Sequence, residues 1–153
     1  MAHPSASPAL FTIGYEGKTS GEYLAQLQRA GVTLLCDVRR NPISRKPGFS
    51  RKALLAACAG HGIRYEHLPE LGIASSDRKA IQTAEDRDRL FERYTRETLP
   101  REKAALKKIQ HWIAGDKHRL ALTCFERDAC ECHRHCIADL LARETAFPAP
   151  VHL

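Results

Sequence analysis

The architecture that this chain predicts is a single-domain α/β fold, a mostly parallel open sheet of about five strands with helices on both faces. Three observations predict it. Short β-prone apolar runs alternate with stretches of helical period, the order that generates a parallel sheet. Residues 32–38, Val-Thr-Leu-Leu-Cys-Asp-Val, form a nearly continuous apolar run, as suits a strand covered on both faces. The connections are short, which fits right-handed crossovers.

The first strand is Leu10-Phe-Thr-Ile-Gly14, apolar and closed by glycine. Thr19-Ser-Gly-Glu22 has capping-box spacing, which satisfies free amides at a helix start. Tyr23, Leu24, Leu27 and Ala30 follow at helical intervals, and Gly31 supplies the stop before the second strand. Ser50 caps a second helix with Leu54, Leu55 and Cys58 on its apolar side, ending near Gly60 and Gly62. Ile63-Arg-Tyr-Glu-His-Leu68 alternates as a third strand and is cut by Pro69. Residues 71–84 lack clear periodicity and read as a loop excursion. Leu90, Phe91 and Tyr94 mark one helix, and Pro100 is placed to start another that buries Leu106, Ile109, Trp112 and Ile113. Arg119-Leu-Ala-Leu-Thr-Cys-Phe125 is the next strand. A last helix from about Cys132 to Ala142 carries Ile137, Leu140 and Leu141 inward, and Pro150-Val-His-Leu153 adds a terminal strand.

The 153 residues suit one domain, divided into a loose tail over residues 1–9 and an α/β body over residues 10–153. No apolar run is long enough to cross a bilayer, so no membrane partner is expected. The first ten residues lack the basic start and apolar core of a signal peptide, and a cytoplasmic location is the expectation. The six cysteines are then expected as thiols rather than disulfides. The net charge is +6, and residues 38–65 hold seven basic residues and no acid. That stretch is either a solvated basic face or a phosphate-binding surface; nucleic acid binding rests on charge alone, since no recognised nucleic-acid motif is present.

Four cysteines and two histidines crowd into Cys124-Phe-Glu-Arg-Asp-Ala-Cys-Glu-Cys-His-Arg-His-Cys136, at the end of a strand and the start of a helix. Packing explains such crowding poorly; metal, anion or thiol chemistry explains it better. Parallel open sheets bind ligands at the carboxyl ends of their strands. That rule gathers Tyr15 and Glu16, Asp37, Arg39 and Arg40, and the Cys/His cluster around one cleft.

In these segments the chain resembles the domain-of-unknown-function 488 family: Thr12-Ile-Gly-Tyr-Glu-Gly17, Asp37-Val-Arg-Arg-Asn-Pro42, and Cys124-x-Glu126 followed by Cys132-His-Arg134. Leu68-Pro-Glu-Leu-Gly72 and Lys46-Pro-Gly-Phe-Ser50 also fit. The resemblance covers about residues 11–153 and implies a compact α/β fold with a polar cluster around the motifs. It implies no settled reaction. Cys130, His135 and Cys136 fall outside its core motif.

Two readings of the site follow from the residues. In the first, a small anionic ligand, nucleotide-like or otherwise phosphorylated, is bound by Tyr15, Arg39, Arg40 and Arg134. Cys132 at a helix start is the reactive thiol, and Glu126 or Glu16 is the general base. No arginine stands six positions after Cys124 or Cys130, so a cysteine-phosphatase mechanism is disfavoured. In the plainer version, Arg39 and Arg134 pair with Asp37, Glu126 or Glu16 and merely fasten strand ends. In the second reading, Cys124, Cys130, Cys132 and Cys136, with His133 and His135 as substitutes, hold zinc or an iron–sulfur cluster. Cys36 and Cys58 sit in apolar runs and read as core.

Overall fold

The computed structural model describes residues 9–145 and 147–153. Of the expected tail, residues 1–8 lie outside the described residues, and the Ala9 carbonyl already accepts from the Leu120 amide at 2.9 Å. The strands are β1 (Leu10–Gly14), β2 (Leu34–Asp37), β3 (Arg64–His67), β4 (Leu120–Cys124) and β5 (Val151–His152), in the spatial order β3-β2-β4-β1-β5. Every pairing is parallel. The protein is a single-sheet α/β fold, as expected.

Helices α1 (Ser20–Arg29) and α2 (Arg51–Gly60) cover one face of the sheet. Their Tyr23, Leu24, Leu27, Leu54 and Cys58 pack with Phe11, Ile13 and Leu35. Thr19 caps α1 by accepting from the Glu22 amide at 3.1 Å, one half of the expected box. Leu55, read as part of the apolar side of α2, is instead 48% exposed. It neighbours Leu54 in sequence, and two adjacent helical positions do not face the same way.

The crossover from β3 to β4 runs through α3 (Ser75–Lys79), α4 (Ala84–Arg93), a π-helical turn (Tyr94–Thr98), α5 (Leu99–Arg101) and α6 (Lys103–Ala114). With α7 (Arg134–Glu144) it covers the second face, packing Leu106, Ile109, Trp112, Ile113, Ile137 and Leu141 onto Leu34, Cys36, Leu120 and Leu122. The expected loop over residues 71–84 thus contains a short helix. It also ends in a reciprocal capping box, in which Thr83 accepts from the Asp86 amide and the Asp86 carboxylate from the Thr83 amide. The last helix starts at Arg134 rather than near Cys132, because residues 129–131 form a 3-10 turn capped by Asp128.

The topology decides where a site can lie. From β1 the chain moves out to β2 and β3, then returns to insert β4 between β2 and β1. The connection after β4 goes to the opposite face from those after β1 and β2. Chains diverging to opposite faces leave a crevice at the carboxyl ends of adjacent strands. Cys124, paired with Gly14 at the end of β4, sits there.

Candidate functional site

Gly14 brings the segment after β4 across the end of β1. A Cβ at this position would lie 1.8 Å from the Glu126 carbonyl oxygen, so only glycine permits the crossing. The crossing is fixed by the Glu16 amide donating to the Phe125 carbonyl at 2.9 Å, and by the Arg127 amide donating to Glu16 Oε1 at 3.1 Å.

Alternation along the strands divides the expected cleft into two clusters. Side chains of successive strand residues point to opposite faces. Asp37 and Arg39 therefore point toward α1 and α2 with Tyr15 and Phe49, whereas Cys36, Val38 and Cys124 point toward α6 and α7. The Arg39 guanidinium and the Cys132 thiol lie on opposite sides of the sheet edge.

On the first side Asp37 is a hub. Its carboxylate accepts from Arg39 Nε at 2.9 Å, Arg39 Nη2 at 2.7 Å, the Arg39 amide at 3.1 Å and the Tyr65 hydroxyl at 2.5 Å. Arg39 Nη1 spends its protons on the Tyr15 hydroxyl at 3.2 Å and the Phe49 carbonyl at 2.7 Å. Burial alone would lower the Arg39 pKa, but Asp37 more than offsets it and raises it. This guanidinium is buried and has its donors engaged, as in the plainer expectation that it fastens strand ends. Tyr15 stacks on Phe49 with centroids 4.6 Å apart, and its carbonyl accepts from Lys46 Nζ at 3.1 Å.

On the second side Cys124, Cys132 and His133 converge, with Sγ, Sγ and an imidazole nitrogen all within 4.8 Å of one another. All three residues are buried. His133 Nε2 is 2.9 Å from the Val38 carbonyl, which can only accept, so that nitrogen carries the proton. The Nδ1 lone pair then faces the Cys132 and Cys124 sulfurs at 3.7 and 3.8 Å. Cys132 Sγ also accepts from the Arg134 amide at 3.5 Å. The hydrogen bond with Cys132 and burial together push the Cys124 thiol well above its ordinary pKa. Burial opposes a positive charge on His133, but Cys124, the Val38 carbonyl and Glu126 outweigh it and raise its pKa.

Glu126 closes this cluster. Its Oε2 accepts from Cys124 Sγ at 3.4 Å, while Oε1 accepts from Arg78 Nη2 at 2.5 Å. Burial would raise the Glu126 pKa, but Arg78, a backbone amide and the thiols hold it below the usual carboxylate value. The Glu126 and Arg78 side chains are 21% and 38% exposed, so they form the solvent side of a buried site.

The remaining expected residues fall elsewhere. Arg134 is fully buried, and its guanidinium donates to the Glu126 and Arg127 carbonyls at 2.6 and 3.3 Å; its Nε has no hydrogen-bond partner. Arg40 is exposed and lines a cavity of about 350 Å³ with Asn41, Pro69, Glu70 and Glu102. Cys136 lies 3.7 Å from His135 Nε2, and His135 Nδ1 donates to the Cys132 carbonyl at 2.6 Å. Cys130 is exposed. Neither Cys130 nor Cys136 is part of the converging trio. Arg78 and Tyr65 were missed, and no local pattern marks either one.

These burials set the thiol reactivity. Burial pushes Cys58 up to about 12 and Cys36 well above its ordinary value. Under native conditions a thiol reagent is expected to label Cys130 rapidly and the five buried cysteines slowly. Mass spectrometry of partially labelled protein reads this directly. Fast labelling of Cys132 in place of Cys130 would contradict it.

The family model described as Domain of unknown function DUF488 matches residues 20–141, well over half of the chain. The Thr12-Ile-Gly-Tyr-Glu-Gly17 segment precedes that span. Comparison with curated proteins and with solved structures yielded no match.

Proposed function

The chain belongs to the DUF488 family, whose description assigns no reaction, and from its site we propose that it is a metal-binding protein of the zinc class. Cys124, Cys132 and His133 supply three ligands and leave the fourth position to solvent or a bound molecule, while the Glu126 carboxylate contacts the Cys124 sulfur from outside the trio.

The observation that carries this reading is the fixed tautomer of His133. A ligating histidine characteristically donates its second N–H to a carbonyl or carboxylate, which aims the other nitrogen at the metal. The bond to Val38 does this, and the aimed nitrogen faces two sulfurs. The spacing agrees as well. Zinc–sulfur and zinc–nitrogen bonds at the tetrahedral angle put S and N about 3.6 Å apart; the separations are 3.7 and 3.8 Å. The Arg134 amide donates to the Cys132 sulfur, which helps orient that ligand.

Sulfur and imidazole donors select zinc over magnesium or calcium. An iron–sulfur cluster is less favoured, because four cysteines do not converge. The anion-binding reading through Arg39 finds little support, since that guanidinium is engaged by Asp37, Tyr15 and Phe49.

Elemental analysis of untagged protein is expected to give about one zinc per chain, by the three-ligand-plus-one pattern. Cobalt(II) in the same site is expected to show thiolate-to-metal charge transfer and intense tetrahedral bands. Metal content near zero after loading, or an octahedral cobalt spectrum, would refute the assignment.

A further inference from the structure

We propose that the surface formed by residues 41–50 and the first turn of α2 binds the phosphate backbone of a nucleic acid. A contrast between two sets of cations supports it. On the crossover from β3 to β4, Arg78, Arg87, Arg89, Arg93 and Arg96 each lie within ion-pair distance of a carboxylate. Among the described residues no carboxylate lies within that distance of Arg45, Lys46, Arg51 or Lys52. The sequence has no acidic residue between Asp37 and Glu66.

Two of these charges stand where the fold itself opposes them. Arg51 and Lys52 occupy the first turn of α2, which contains no acid, and Ser50 makes no side-chain cap there. The backbone dipoles of a helix are positive at that end, so both side chains are repelled by the helix they begin. A polyanion converts this repulsion into attraction.

The surface is held in place before any partner arrives. Arg39 donates to the Phe49 carbonyl, Lys46 to the Tyr15 carbonyl, and the Arg51 amide to the Pro42 carbonyl at 2.9 Å. The carbonyl that Lys46 meets carries no opposite formal charge. Ile43, 84% exposed, and Leu55 stand among the cations as apolar contacts for sugars or bases. The cations are strung along a loop and a helix turn instead of converging on one point. That spread suits repeated phosphates better than one small anion. The proposal does not depend on the metal reading, because none of these residues belongs to the trio.

Fluorescence anisotropy of a labelled oligonucleotide, single-stranded and duplex, tests it. With four cations engaged, the slope of log K against log salt is expected near about −2.8 for the single strand and about −3.6 for the duplex, roughly a 50- to 150-fold loss between about 50 and 200 mM KCl. The double variant Arg51→Glu, Lys52→Glu should bind more weakly, with a slope about half as steep. Its urea midpoint should be unchanged or higher, because acids suit a helix start, so weaker binding could not be ascribed to unfolding. Absence of binding at low salt, or an unchanged slope in the variant, overturns the proposal. Equal binding of polyglutamate or of phosphatidylserine vesicles, lost in the same variant, assigns the surface to another partner and also overturns it.

Discussion

Replacing Asp37 by alanine is expected to destabilise the protein by about 3–5 kcal/mol, the cost of stranding a buried charge by removing its partner. Asp37 is fully buried and accepts from Arg39 through its amide, Nε and Nη2, and from the Tyr65 hydroxyl. Without it, Arg39 keeps only the Tyr15 hydroxyl and the Phe49 carbonyl, both neutral acceptors. The loop over residues 41–50 and the end of β3 would lose their common anchor. Native domains are stable by only about 5–15 kcal/mol, so this single change approaches global unfolding. The measurement is the urea midpoint. The companion variant Asp37→Ala, Arg39→Met should recover part of the loss, because an apolar replacement of both partners leaves no charge unpaired. A loss below about 1 kcal/mol for Asp37→Ala would show that the pair is ordinary surface electrostatics, contrary to its burial.

Zinc should raise the thermal stability of the wild-type chain and leave that of Cys124→Ser and Cys132→Ser nearly unmoved. A ligand that binds only the folded state stabilises it by about 4 kcal/mol at a thousandfold excess over its dissociation constant. For a chain of this size that is about 8–16 °C in Tm. The serine hydroxyl is a poor substitute for thiolate at a soft site, so each variant should lose most of the gain. His133→Ala should behave alike, because Nδ1 is the imidazole donor that faces both sulfurs. A strong chelator should return the loaded wild type to the stability of the metal-free chain. A zinc-dependent shift of equal size in Cys124→Ser and in the wild type would remove that thiol from the ligand set.

Much of the fold was legible because each element announces itself locally. Continuous apolar residues 32–38, the glycine closing Leu10–Gly14 and the core spacing of Leu106, Ile109, Trp112 and Ile113 are local signals that tertiary packing then used. The short helix α3 gave no such signal. It buries no side chain, so it carries no amphipathic period, and ion pairs from Arg78 and Asp77 to distant Glu126 and Arg93 help hold it. Arg78 at the mouth of the thiol cluster was invisible for that reason.

The sequence by itself determined the parallel sheet and the concentration of sulfur and imidazole after β4, at the carboxyl end of that strand. It also determined, within each strand, which residues share a face. Only the tertiary structure decided how the faces of different strands correspond. Strand register and crossover hand set that match, and both arise from contacts distant in sequence. So Asp37 and Arg39 were joined to Tyr15 and Phe49, and Cys124 to Cys132 and His133, on opposite sides of one sheet edge.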